Sequence, residues 1–403
     1  MLRNFGWKFL AETLSRGLGL LFLVLLARSL GDKAFGLYSL PLATAGLLAV
    51  VLDPGSHSVL IRELARAPER EAEVLGAVVW VRGLCSGLFL LLVLLSWPLF
   101  AGEVGLGRML AAACILLGQS WIDTQIAWLN ASEAFRSEAR LRLWLKLALL
   151  LPQMLVLWLS PGIDALLLAG ALAHLAWLPV LAVQFYRRLA LPRFDLKGIK
   201  VMLPQMLGFW LANLSWLLYL KLDLVMLPLL GRPAAELGWY QAAVRFYELA
   251  GLPGYLLSMS AYPRLSALGD RPIERQAQQN RLLGLSLALG SATAVLGWAG
   301  APLLPLLLGA SFAPSVQALQ LMSLSIPAVC LNQSLFAVLG AAGRQGGTAR
   351  ATAGCLIANG LLNLWLIPAW GYLGAAFSTL IADALLCALL FWQLKRMAAT
   401  QPK

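Results

Sequence analysis

Apolar residues run along this chain in long blocks, without the alternation of a sheet or the one-sided stripe of a soluble helix. Between Arg281 and Arg344 lie 62 residues with no Asp, Glu, Lys or Arg, and between Arg350 and Asp383 another 32. About 20 apolar residues carry a helix across a bilayer. The first block therefore holds about two helices, broken near Ala301-Pro302 and Ala313-Pro314. With Gly, Pro and charge clusters as punctuation, the pattern predicts twelve spans. They fall at 8–29, 36–60, 75–97, 107–129, 141–160, 165–186, 201–224, 237–260, 280–300, 315–340, 350–368 and 372–393. Membrane β-strands alternate and run only about 10 residues, so the expectation is an all-α polytopic membrane protein.

Composition agrees: of 403 residues, 60% are apolar and 12% charged, where a soluble domain carries roughly 25% charged. The net charge of +12 raises the question of nucleic acid, and the placement of the charges answers it. Of 31 Lys and Arg, 23 fall on the side of the N-terminus, in segments such as 62–70, 136–146, 187–200 and 264–281. Only Arg28, Lys33, Arg108 and Arg232 fall in the opposite loops. By the positive-inside rule both termini are expected in the cytoplasm, in a multi-pass membrane protein with no nucleic-acid partner. The first span carries Glu12 and Arg16 and lacks a following Ala-x-Ala, so it is not read as a cleavable signal. Cys85, Cys114, Cys330, Cys355 and Cys387 lie inside spans without metal or disulfide spacing and read as packing residues. No metal site and no cofactor are expected.

Two segments resemble each other. Leu30-Gly31-Asp32-Lys33-Ala34-Phe35-Gly36-Leu37-Tyr38 matches Leu230-Gly231-Arg232-Pro233-Ala234-Ala235-Glu236-Leu237-Gly238-Trp239-Tyr240 in a Leu-Gly, polar turn, Gly-x-Tyr order. The offset grows from 200 at Gly31/Gly231 to 202 at Gly36/Gly238. This predicts an N-terminal six-helix lobe (1–190), a cytoplasmic linker (191–200) and a C-terminal six-helix lobe (201–403). The lobes would be parallel repeats related by a pseudo-twofold along the membrane normal, an arrangement suited to alternating access at a site between them.

The motif order resembles the polysaccharide-biosynthesis exporters of the multidrug/oligosaccharidyl-lipid/polysaccharide superfamily, and within them the Wzx-type O-antigen flippases. The residues that carry it are Leu26-Ala27-Arg28-Ser29-Leu30-Gly31 through Ser39, Asp53-Pro54-Gly55, Leu60-Ile61-Arg62-Glu63 and Tyr219-Leu220-Lys221-Leu222-Asp223. Further on come Tyr262-Pro263-Arg264-Leu265, Leu308-Gly309, Asn363-Leu364-Trp365-Leu366-Ile367-Pro368 and Gly371-Tyr372-Leu373-Gly374-Ala375-Ala376. The resemblance covers roughly residues 5–390. It implies transport without covalent chemistry: a polyprenyl-diphosphate-linked oligosaccharide moved from the cytoplasmic to the periplasmic leaflet. Membrane lipids, a polysaccharide polymerase and chain-length proteins are the implied partners.

Charge inside hydrocarbon is costly and marks a cavity or a partner. Four cations lie within the spans: Arg16, Arg82, Lys221 and Arg245. A diphosphate that leaves water needs such cations to replace its hydration, and these four are the candidate substrate-binding set. The competing reading is a set of neutralised ion pairs, since Glu12 is i−4 to Arg16, Asp223 is near Lys221 and Glu248 is i+3 to Arg245. Asp53, Asp123, Asp223, Glu248, Asp383, Asn213, Asn332 and Gln333 are candidates for coupling an ion (H+ or Na+) or for touching sugar. For Asp53, before Pro54-Gly55, helix capping is the favoured alternative. Asp123 has Arg82 as an alternative partner, and His174 reads as a packed residue. No Walker A sequence or catalytic-metal spacing is present, and the protein is not expected to be an enzyme. Besides the flippase, a cation-coupled multidrug exporter, a lipid II flippase and a membrane-embedded glycosyltransferase or ligase of the same pathway remain open.

Overall fold

The computed structural model describes residues 2–131, 135–159, 161–189, 206, 210, 214, 217–219, 221–268 and 272–399. All regular structure among them is helical. The first helix, α1 (Leu2–Leu48), has 47 residues and at 1.5 Å per residue is about 70 Å long, over twice the hydrocarbon thickness. It is broken at Gly31, whose φ of 73° and ψ of 173° are not helical and suit a residue without Cβ. Two expected spans therefore share this helix. The second is completed by a 3-10 turn (Ala49–Leu52), the Asp53-Pro54-Gly55 break and α2 (Ser56–Arg66).

The next four spans are α3 (Glu71–Ser96), α4 (Leu106–Ala131), α5 (Phe135–Leu159) and α6 (Ile163–Leu189). The expected linker 191–200 and most of the expected span 201–224 lie outside the described residues, as does Asn213. A helix (α7) is described at 221–229. The eighth span is divided at Gly251 into α8 (Ala234–Ala250) and α9 (Leu252–Ala267). Then come α10 (Pro272–Gly300) and a short α11 (Leu304–Leu308). The tenth span is a pair, α12 (Ser315–Ser323) and α13 (Ile326–Ala341), bent by 48°. The last two are α14 (Gln345–Trp370) and α15 (Tyr372–Ala399).

Seven helical stretches among the described residues are long and apolar enough to cross a membrane, and the bent pair makes eight. α1 holds two expected spans in one such stretch. α4 has span length but is diluted by Gln119, Asp123 and Gln125, while α8 and α9 have only 17 and 16 residues.

The chain divides into two compact units: residues 1–30 with 37–217, and residues 31–36 with 218–403. The first unit has a core of Val59, Leu75, Val78, Ile122, Ile126, Leu145, Leu181 and Phe185. Its outward residues include Leu99, Trp144 and Trp158, each more than two-thirds exposed. Such apolar exposure costs nothing when the surrounding solvent is lipid. The second unit is built around Tyr219, Leu335, Leu339, Cys355, Leu386 and Leu390.

The sequence repeat has a structural counterpart inside this second unit, to which residues 31–36 belong. A Cβ at Gly36 would stand 1.9 Å from the Ala234 carbonyl oxygen, and one at Gly238 would stand 2.2 Å from that of Asp32. Residues 202 apart thus exchange the same contact. Trp239 Nε1 closes it by donating to Asp32 Oδ2 and to Ser311 O, both at 2.9 Å.

Candidate functional site

In the first unit the chain break at Asp53-Pro54-Gly55 organises the polar residues. Gly55 has φ 88°, which lets the chain leave the 3-10 turn and start α2. The Asp53 carboxylate satisfies that start: its Oδ1 accepts from Ser56 Oγ at 2.7 Å and from the His57 amide at 3.1 Å. Its Oδ2 lies 3.2 Å from Arg82 Nη2. Arg82, on α3, is only 2% exposed. Its Nε donates to Ser56 Oγ at 2.8 Å, and its Nη1 donates to Ser120 O and Oγ on α4 at 2.6 and 2.7 Å. The guanidinium therefore ties α2, α3 and α4 together, and the helix-cap role of Asp53 and its ion pair are one structure.

Asp123, the sequence candidate for Arg82, accepts from Gln119 Nε2 one turn earlier at 2.9 Å. Gln125 joins Gln184 (2.6 Å) and Trp177 (3.2 Å). His174 is packed, with Nδ1 hydrogen-bonded to the Gly170 carbonyl at 2.7 Å.

Arg16 lies on the exposed face of α1; the side chain of Glu12 is outside the described residues. The Lys146 ammonium lies against the same stretch of α1, 3.5 Å from where a Cβ on Gly19 would stand. By sequence Lys146 groups with the cytoplasmic basic residues of 136–146. In the structure it is eleven residues into α5, about 16 Å along that helix. Its place within the expected span 141–160 was the available signal that it lies deeper than the basic residues at the start of α5.

In the second unit, Lys221 and Arg245 share one carboxylate. Lys221 Nζ is 2.6 Å from Glu248 Oε1, and Arg245 Nη1 is 3.2 Å from Glu248 Oε2. With its amide oxygen turned toward Arg245, Gln241 accepts from Nε and Nη2 at 3.2 and 3.3 Å. The three charged side chains are 22%, 44% and 32% exposed in the order Lys221, Arg245, Glu248. They form a group of net charge +1 that is open enough to meet another molecule. Lys221 thus pairs with Glu248, across 27 residues, and its near neighbour Asp223 is engaged elsewhere.

Asp223 and Asp383 are buried and clasped by tyrosines. Asp223 accepts from the Tyr240 hydroxyl, from the Leu224 amide at 3.0 Å and, at the edge of range, from Thr379 Oγ1 at 3.4 Å. Asp383 accepts from Tyr219 at 2.5 Å, from Ser325 at 2.8 Å and from Tyr247. Asn332 Nδ2 donates to the Asp383 carbonyl at 3.1 Å. The Asn332 Oδ1 and Gln333 Oε1 atoms are buried with no hydrogen-bond partner. Asn363 donates to Asn359 and Asn359 to Ser378, both at 3.1 Å, so these asparagines bond within and between helices. The pattern of charges along the sequence does not foretell the tyrosine clasps. Tyr240 and Tyr247, seven residues apart on one face of α8, carried the available signal.

Hydroxyl donors hold a buried carboxylate without adding charge, so both groups retain the capacity to take up a proton or a small cation. The Lys221/Glu248/Arg245 group can instead exchange Glu248 for an incoming anion.

Comparison with known proteins places this geometry. Residues 1–268 match the profile of a family described as polysaccharide biosynthesis protein. Probable flippase AglR of Haloferax volcanii is 28% identical over 200 residues, 48% of this chain; the match spans only 41% of that relative's length. Among solved structures, the lipid II flippase MurJ in an inward closed conformation superposes with a TM-score of 0.74 at 17% identity, covering 96% of this chain and 87% of MurJ. An inward-facing MATE-family multidrug resistance transporter of the MOP superfamily follows at 0.68 and 15%, covering 94% of each chain. A MOP superfamily transporter from Pyrococcus furiosus, whose binding pocket is described as reversed in polarity, reaches 0.68 at 14%, covering 98% of this chain and 94% of that one. These likenesses establish the fold: all-α, with twelve membrane spans in two lobes.

Proposed function

The chain belongs to the polysaccharide biosynthesis protein family, and from that membership we propose that it is a flippase for a polyprenyl-diphosphate-linked oligosaccharide. The cargo would be an O-antigen or other surface-polysaccharide repeat unit, carried from the cytoplasmic to the periplasmic leaflet of a bacterial inner membrane by alternating access. The observation that carries this reading is the partly exposed pair of cations sharing one carboxylate. Lys221 and Arg245 are neutralised only in part by Glu248, and a diphosphate of two or more negative charges would displace that single carboxylate. A guanidinium and an ammonium supply several N–H donors to replace the water that the diphosphate loses. Arg16, with Lys146 close to the same stretch of α1, is the corresponding cationic feature of the first unit. Arg82 is held on every side by Asp53, Ser56 and Ser120, and we assign it to bracing the Asp53-Pro54-Gly55 break.

Asp223 and Asp383 favour a second reading, a cation-coupled exporter of the multidrug type. Two buried carboxylates clasped by hydroxyls are suited to H+ or Na+. In the flippase reading they are candidates for coupling, and Asn332 and Gln333 keep buried acceptors for sugar hydroxyls.

The test is genetic and biochemical. Arg16→Ala and Arg245→Ala should each abolish surface polysaccharide in a strain that depends on this chain, with the protein still inserted and monodisperse in detergent. Both side chains are exposed, so their removal should cost under about 1 kcal/mol of stability. Wild-type polysaccharide in both variants would sink the cationic role. Drug efflux driven by a cation gradient, with polysaccharide intact, would favour the second reading.

A further inference from the structure

We propose that one end of the second unit, where α13, α14 and α15 meet, binds the phosphodiester headgroup of an anionic phospholipid. This site is separate from the residues assigned to transport and does not rest on that assignment.

A cavity of about 490 Å³ lies there, lined by Arg344, Gly347, Arg350, Trp392, Gln393 and Arg396 together with two apolar side chains and, among the described residues, by no carboxylate. Arg344 and Arg350 flank the first turn of α14. Arg350 uses its Nε to reach the Gly346 carbonyl at 3.2 Å, and among the described residues neither arginine has an ion-pair partner. Arg396 approaches from α15 with its guanidinium carbon 3.9 Å from the centre of the Trp392 ring, an orientation held by cation–π attraction. Gln393 ties the two helices together by donating from Nε2 to the Gly347 carbonyl at 2.9 Å.

Its Oε1 is buried with no hydrogen-bond partner. A headgroup hydroxyl would satisfy it. The N-terminus of α14 adds its own field. The helix has 26 residues and no acidic side chain in its first turn, and Gly346 has open space where a Cβ would be. Amide N–H groups and the positive end of the helix dipole are thus accessible to an anion.

Depth selects the lipid over a free anion. The cavity residues sit at the start of the apolar stretch Gln345–Trp370 and at the end of Tyr372–Met397. Those two ends share one face of the membrane, at the level where lipid headgroups and interfacial tryptophans lie. A basic pocket between helices at that depth is suited to an anionic headgroup.

The experiment uses the full chain in detergent, titrated with dioleoyl-phosphatidylglycerol, dioleoyl-phosphatidylcholine or inorganic phosphate, with bound lipid read by native mass spectrometry. Phosphatidylglycerol should bind in preference to phosphatidylcholine, and inorganic phosphate should not displace it. Each arginine near an anionic headgroup contributes roughly fivefold, so Arg344→Gln/Arg350→Gln/Arg396→Gln should weaken binding on the order of a hundredfold. Arg350→Gln alone, expected to weaken it roughly fivefold, serves if the triple variant fails to fold. Unchanged phosphatidylglycerol binding in these variants would overturn the proposal. Displacement by equimolar inorganic phosphate would overturn it too, by assigning the pocket to a free anion.

Discussion

A guanidinium that is 2% exposed must have its charge and its donors answered inside the protein. Arg82 is answered by Asp53, Ser56 and Ser120. Removing one partner of such a buried pair costs about 3–5 kcal/mol, because the other charge stays buried and uncompensated, while removing both costs much less. Asp53→Ala should therefore lower thermal stability in detergent far more than Asp53→Ala combined with Arg82→Leu. Equal losses in the single and double variants would show that the pair has no such role. The contrast with Lys221 and Arg245 is physical. Those cations are 22% and 44% exposed, their pairing with Glu248 is worth little to stability, and their placement is better explained by what they meet.

At the scale of elements, the breaks are as informative as the helices. Gly31, Pro54-Gly55, Pro302 and Pro314 mark interruptions that the residue pattern foretells. Pro41, Pro152, Pro179 and Pro368 instead lie inside continuous helices, where neighbouring helices in a membrane satisfy the freed backbone groups. The Gly36/Gly238 contact depends on the lack of a side chain, since a Cβ on either would collide with a carbonyl oxygen of the opposing segment. Gly238→Ala forces a backbone shift and should cost about 1–3 kcal/mol. Gly46→Ala, with nothing within 4 Å of the added carbon, should be neutral or slightly stabilising through helix propensity. Melting temperatures of the two variants against the parent check this, and a Gly238→Ala variant as stable as Gly46→Ala would refute the tight contact.

At the scale of the molecule, the orientation expected from the basic residues can be tested directly. In a background with the five native cysteines replaced, Lys33→Cys and Arg232→Cys should react with an impermeant maleimide in intact cells. Arg70→Cys and Arg344→Cys should react only after permeabilisation; the reverse pattern would invert the topology. Span positions are legible because in hydrocarbon each backbone donor and acceptor must be paired within its own helix, so a local run of apolar residues suffices to specify a helix. The repeat at Gly36 and Gly238 is legible for a similar reason, as close packing leaves few residue types to choose from. Side-chain partnership is not local. Along the sequence Arg82 had Asp123 as its candidate partner and Asp53 read as a helix cap, yet packing of α2 and α4 against α3 brought Asp53 to the guanidinium. Lys221 had Asp223 two residues away and found Glu248 across 27, while Asp383 met Tyr219 across 164. The sequence by itself determined which segments are helical and where charge enters the membrane, because solvation in lipid acts residue by residue. Tertiary structure alone decided which charges neutralise each other and which stay exposed, because those energies depend on distances between helices far apart in the chain.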